Sequence, residues 1–140
     1  MFRKILFAHD GTPAAERALV YLEHVARQEE AEVLVLHVYE PPERYVATHG
    51  FERLIEQFET VASEVVTDTV EYLQQAGVSA IGMVESGASP AQTILETAAD
   101  EDVSLIVLGT RGPRKVADLV VGHVSMEVLR HARCPVFLVP

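Results

Sequence analysis

The sequence predicts an α/β fold, an open parallel sheet of five strands with helices on both faces. Three observations lead there. Short apolar, β-branched runs alternate along the chain with longer segments whose apolar residues recur every three to four positions. The fourth short run, Leu105 to Leu108, is apolar throughout, as a strand covered on both faces must be. Proline and glycine fall at the joints, where they start and stop helices. Strictly alternating elements require crossover connections, which are right-handed and yield a parallel sheet.

Each element has its own justification. Lys4 to His9 forms the first strand. Thr12-Pro13 supplies an N-cap with proline at the first helical position, and Ala15, Ala18, Leu19, Leu22, Val25 and Ala26 form the buried stripe that follows. Glu32 to Tyr39 is the second strand, ended by Pro41-Pro42. Residues 41–50 have no regular pattern. From Phe51 a long core helix is expected. Phe51, Leu54, Ile55, Phe58, Val61, Ala62, Val65, Val66, Val70 and Leu73 keep a helical period until Gly77 stops it. Val78 to Glu85 is the third strand. Ser89-Pro90-Ala91-Gln92 reads as a capping box, and Ala91, Ile94, Leu95, Ala98 and Ala99 face inward after it. The last helix covers about Val124 to His131, and Pro135 to Val139 is the fifth strand. At 140 residues, without internal repeats, the chain reads as one domain.

Composition narrows the partners. The chain is 49% apolar and 23% charged, an ordinary globular balance, with a formal net charge of −10. Such a surface repels phosphate backbones, so nucleic acid is not an expected partner. No stretch approaches the ~20 apolar residues that span a bilayer, and Ile5 to Ala8 is too short for a signal-peptide core. A cytoplasmic protein without a membrane partner is the expectation. The one cysteine, Cys134, excludes an intrachain disulfide and reads as packed and inert.

Open parallel sheets bind ligands beyond the carboxyl ends of their strands, where strand order reverses. The segments to inspect are therefore Asp10-Gly11-Thr12, Val38 to Glu40, and Gly109 to Gly112. The strongest constellation is Gly109-Thr110-Arg111-Gly112, nine residues, then Gly122-His123-Val124-Ser125. Gly109 would let a ligand approach the backbone. Gly112 can take the positive φ of a tight anion-binding turn. Gly122 precedes a helix whose free N–H groups favour phosphate. Arg111, Arg114 and Lys115 concentrate positive charge in an acidic chain. Any one of these glycines reads as an ordinary turn former. The spacing together with the cations points to a polyphosphate.

That pattern, Gly-x2-Gly-x9-Gly near a hydroxyl residue, resembles the ATP signature of the universal stress protein family. Ile5-Leu6-Phe7-Ala8-His9-Asp10-Gly11-Thr12 is similar to the family's first strand and turn. Leu105 to Gly112 and His131-Ala132-Arg133-Cys134-Pro135-Val136 are similar to later family segments, so the likeness covers essentially the whole chain. The resemblance implies a Rossmann-like sheet with strand order 3-2-1-4-5 and an ATP ligand, with or without magnesium. It implies that Asp10 lies near the ribose and that the Val38 backbone meets adenine. Gly109, Gly112, Gly122, Val124 and Ser125 would hold the phosphates. Gly11, Thr12, Arg111 and His123 complete the candidate set. His123 stands where the family has serine or threonine. Its imidazole could replace the hydroxyl at a phosphate, or its bulk could narrow the site.

Other chemistry finds little support. Gly82 to Ser89 imitates a P-loop, but Ala88 stands where its lysine belongs. The histidines lack metal-ligand spacing, and Gly-x-Ser-x-Gly is missing. No catalytic residue is assigned, and at most slow ATP hydrolysis is expected. The apolar run Val136 to Val139 would be a sheet edge. Such an edge invites pairing, and the resemblance implies a homodimer through it. The two functions that follow are an ATP-binding stress or signalling module and a nucleotide-independent dimeric stress protein acting by protein contacts.

Overall fold

Five parallel strands form the sheet: β1 (Lys4–Ala8), β2 (Glu32–Tyr39), β3 (Ser79–Ser86), β4 (Leu105–Gly109) and β5 (Val136–Val139). Their order is β3-β2-β1-β4-β5, as the resemblance implied. The helices are α1 (Pro13–Glu29), α2 (Phe51–Gln75), α3 (Pro90–Asp100) and α4 (His123–His131). The computed structural model describes residues 1–41, 50–110 and 122–140. Boundaries differ from the expected ones by about a residue. β1 stops at Ala8, β3 is displaced by one position, Gly109 belongs to β4, and α4 begins at His123. Element ends fray, so shifts of this size are ordinary.

β1 is central because its residues are apolar on both sides. Ile5, Leu6 and Phe7 are fully buried. Ile5 pairs with Val33 of β2 and with Leu105 of β4. Alternation along the strands then divides the core. Ile5, Phe7, Val33, Val35 and Val107 pack with Leu22 of α1 and Leu73 of α2. Leu6, Leu34, Leu36, Ile106 and Leu108 pack with Ile94 of α3 and Val128 of α4. The chain runs outward from β1 through β2 to β3 and returns to β4 on the other side of β1. Strand order therefore reverses between β1 and β4, which opens a crevice at their carboxyl ends.

The helix starts follow the expected chemistry in part. Thr12 Oγ1 accepts the Ala15 amide at 3.3 Å, and Ser89 Oγ accepts the Gln92 amide at 3.3 Å. Among the described residues the reciprocal bond from the Ser89 amide to Gln92 is not formed, and the Gln92 Nε2 donates to Glu96 Oε1 at 2.8 Å. Gly77 ends α2 at φ +82°, and the next amide, that of Val78, donates back to Leu73 O at 2.9 Å.

The long α2 differs from the core helix expected. Only Ala62, Val66, Thr69 and Leu73 are buried, and Val61 is 58% exposed. Length is the reason. Its 25 residues span about 37 Å at 1.5 Å each, whereas the 8 residues of β3 span about 26 Å. The amino-terminal part of α2, residues 51–61, has no fully buried residue. It is tethered to β2 by Tyr39, whose hydroxyl donates to Glu59 at 2.9 Å and whose ring stacks on Phe58. Among the described residues no helix is long and apolar enough to cross a membrane.

Candidate functional site

A cavity of about 100 Å³ opens at the carboxyl ends of β1, β2 and β4, on the α3/α4 side. Its apolar wall comes from Ala8, Leu36, Val38, Ile94 and Leu108, and its polar rim from Asp10, Gly122 and Ser125. His9, Gly109 and Pro90 complete its lining. Alternation explains the wall: Leu36, Val38, Ala8 and Leu108 sit at the ends of the strand faces that pack on α3 and α4. Of the larger surface hollows elsewhere among the described residues, two are about 630 Å³ each. One runs from Leu95 to Cys134, at the far side of α3, and the other lies along the acidic Glu56 to Asp68 stretch of α2. The smaller cavity is the better ligand candidate because polar groups converge on an apolar wall at a topological switch point.

Asp10 is exposed on the rim. Its Oδ1 accepts both the Thr12 amide at 3.0 Å and the Thr12 hydroxyl at 2.5 Å, while Oδ2 takes part in neither bond. Thr12 thus donates to Asp10 and caps α1 at once. Gly11, at φ +79°, makes the intervening turn. The residue before Asp10 is more constrained. His9 is 2% exposed. Its Nδ1 accepts the Gly11 amide at 3.0 Å and its Nε2 meets Glu16 Oε1 at 3.0 Å. Its carbonyl accepts His37 Nδ1–H at 2.7 Å. Burial pushes the His37 imidazole below its ordinary value, against the opposing pull of that carbonyl.

The α4 end contributes backbone. Gly122 is the N-cap and offers no side chain to the first-turn amides, and no acidic residue occupies that turn. Those amides and the positive end of the helix face the cavity rim through Gly122, Val124 and Ser125. Ser125 is buried, and its hydroxyl donates to Gly109 O at 3.4 Å, joining α4 to β4.

Of the candidate residues, Asp10, Val38, Gly109, Gly122, Val124 and Ser125 come together around this cavity. Gly11 and Thr12 shape the turn beside it without lining it. His123 is exposed and does not line it, so its imidazole leaves the cavity open. Arg111 and Gly112, with Arg114 and Lys115, lie outside the described residues. The expectation that Gly109 lacks a side chain to admit a ligand is corrected. A Cβ there would meet the backbone of Ala14 and Ala15, so the missing side chain admits helix α1. Sequence reasoning missed Ala8, His9, Leu36, Pro90, Ile94 and Leu108. The signal was present in the apolar strand ends and the Ser89-Pro90 helix start, which were read only as core and cap.

Elsewhere the discounted features stay structural. Gly82 lies inside β3 with Val66 of α2 against it, which suits no phosphate loop. Cys134 is a half-buried free thiol, and burial pushes it above its ordinary value.

A doubly wound parallel sheet in the order β3-β2-β1-β4-β5, with a cleft at its switch point, defines a Rossmann-like class of α/β fold. The model of the universal stress protein family matches residues 1–140, and the chain belongs to that family. A universal stress protein of Thermus aquaticus is 37% identical, with 99% of each chain covered. The solved structure of MJ0577, a universal stress protein of Methanocaldococcus jannaschii, superposes with a TM-score of 0.87 at 26% identity, covering 99% of this chain and 96% of that one. A universal stress protein family structure from Arabidopsis thaliana, solved with AMP bound, shares the fold at 21% identity and a TM-score of 0.72, covering 98% of this chain and 90% of that one.

Proposed function

We propose that this universal stress protein is a nucleotide-holding module whose ligand is ATP, alone or as its magnesium complex. The observation that carries the reading is the convergence on one cavity of an apolar slot, the Asp10 carboxylate and the start of α4, whose N-cap Gly122 has no side chain to occupy the first-turn amides. The cavity is about 100 Å³ and opens onto the surface. The edge of an adenine would enter between Val38 and Ile94, with the ribose at Asp10 and the phosphates along the Gly122 rim. Arg111 and Gly112 belong to the same proposal through their place in the glycine motif. The AMP in the Arabidopsis neighbour supports an adenine nucleotide as the class of ligand. Binding would act by shifting a conformational or partner equilibrium, which requires different contacts in the bound state. Mass spectrometry of small molecules released from freshly purified protein tests this. Stoichiometric adenine nucleotide is the expected result, and its absence together with failure to load added ATP would reject the reading.

A second reading, a dimer that acts through protein contacts alone, draws on the β5 edge. Phe137 is 37% exposed there and meets Tyr21 of α1 edge-to-face at 6.1 Å, with Leu129 of α4 42% exposed. Apolar exposure around an open strand edge favours self-association. A homodimer through Val136–Val139 is compatible with both readings. Sedimentation of wild type and Phe137→Glu tests it, a monomeric wild type at micromolar concentration being the contrary result.

A further inference from the structure

We propose that His9 is a positioning residue for the cleft: oriented by Glu16, its Nδ1 holds the Gly11 amide and so fixes the turn that presents Asp10. The effect on affinity rests on the nucleotide reading above; the effect on the turn does not.

The hydrogen-bond inventory decides the tautomer. The Gly11 backbone N–H can only donate, so Nδ1 of His9, 3.0 Å away, carries a lone pair. A neutral imidazole has one N–H, and it must then lie on Nε2, 3.0 Å from the acceptor-only carboxylate of Glu16. Glu16 stands in the first turn of α1, so the ring links the end of β1, the turn and the helix. The main chain of His9 is held as well. Its amide donates to Leu36 O at 2.9 Å, and its carbonyl accepts His37 Nδ1–H at 2.7 Å. The ring packs edge-on against Phe7 at 5.3 Å. Asp10 is therefore flanked by a residue fixed at backbone and side chain and by a glycine whose left-handed backbone is anchored by that side chain. Among the described residues, the charged and titratable groups around His9 are Glu16, His37 and Asp10. Gly109 of β4 lines the same cavity as His9, and α2 brings Val65 beside Gly11.

An apolar residue at position 9 could fill the space beside Phe7 but would leave the Gly11 amide without this acceptor. Asparagine could place its Oδ1 near where Nδ1 stands. The experiment compares wild type with His9→Leu, His9→Asn and Glu16→Gln. Long-range proton–nitrogen NMR reads the imidazole tautomer, amide exchange reads Gly11, and titration with ATP reads the cleft. The expected results are the Nε2–H tautomer in the wild type and Gly11 exchange about tenfold faster in His9→Leu. His9→Asn should restore most of the protection and most of the ATP affinity that His9→Leu loses. Glu16→Gln should retain the tautomer but broaden the ring signals as the orientation loosens. An Nδ1–H tautomer, or Gly11 exchange identical in wild type and His9→Leu, would overturn the proposal. If His9→Leu does not fold, the wild-type tautomer and the protection in His9→Asn still decide it. If the wild type binds no ATP, the nucleotide reading fails, while tautomer and exchange continue to judge His9.

Discussion

Gly109 and Ala14 meet backbone to backbone: a Cβ built on Gly109 would lie 2.4 Å from the carbonyl carbon of Ala14 and 2.6 Å from its oxygen. The first turn of α1 thus rests directly on the last residue of β4. Backbone cannot rotate away as a side-chain tip can, so α1 or β4 would have to move. Gly109→Ala should destabilise the protein by about 2 kcal/mol or more, within or beyond the usual cost of overpacking. Urea unfolding monitored by circular dichroism measures it. Wild-type stability in this variant would mean that the contact is looser than described.

Gly11 makes a contrasting prediction. A Cβ there would stand 3.9 Å from Val65, an ordinary contact, but φ is +79°. The cost of Gly11→Ala is therefore backbone strain alone, about 1–2 kcal/mol. Gly11→Asn should cost less, because asparagine tolerates left-handed backbone. Equal losses for alanine and asparagine would point to a steric cause instead.

Gly82 lies under α2 in a third way. Its added Cβ would fall 2.3 Å from Cγ1 of Val66, a stiff β-branched side chain. Gly82→Ala should cost about 1–3 kcal/mol by overpacking, and Val66→Ala about as much by loss of packing. The double variant should be more stable than the sum predicts, with a coupling of about 1 kcal/mol or more. Additive losses would show that the two sites are independent.

His37 makes stability depend on pH. Burial lowers its pKa in the fold, so the unfolded chain binds this proton more readily than the native one. Its contribution is fully present above the ordinary histidine value of 6.5 and is lost as pH falls from there toward the depressed native value. The slope from this one group cannot exceed about 1.4 kcal/mol per pH unit. Unfolding free energies measured from pH 7.5 down to 5 should show a decline that His37→Asn reduces. An unchanged slope in the variant would assign the decline to other groups.

The fold was legible because its signals are local and repetitive. The periodicity of Ala15 to Ala26, the apolar run at Leu105 and the stops at Pro41 and Gly77 each announce an element on their own. The strand order was not in those signals and came from the resemblance. The site was legible where a residue lies just beyond a strand or opens a helix, as with Asp10, Gly122 and Ser125. It was not legible where its meaning depends on a neighbour distant in sequence. Gly109 meets Ala14, and Ile94 meets Val38 only through the tertiary fold. The exposure of Val61 was invisible for a related reason: it keeps the apolar period, but Ala62 takes the buried face of that turn, and only the tertiary fold shows which side meets the sheet.

The most direct test of nucleotide holding is calorimetric titration of ATP, with magnesium, into wild type and into Ala8→Phe. Ala8 ends the β1 face that walls the cavity, and a phenyl group there should fill it. A saturable one-to-one heat in the wild type, abolished in a variant that still melts cooperatively, is the predicted result. No heat in the wild type, or equal binding by both proteins, would contradict the account.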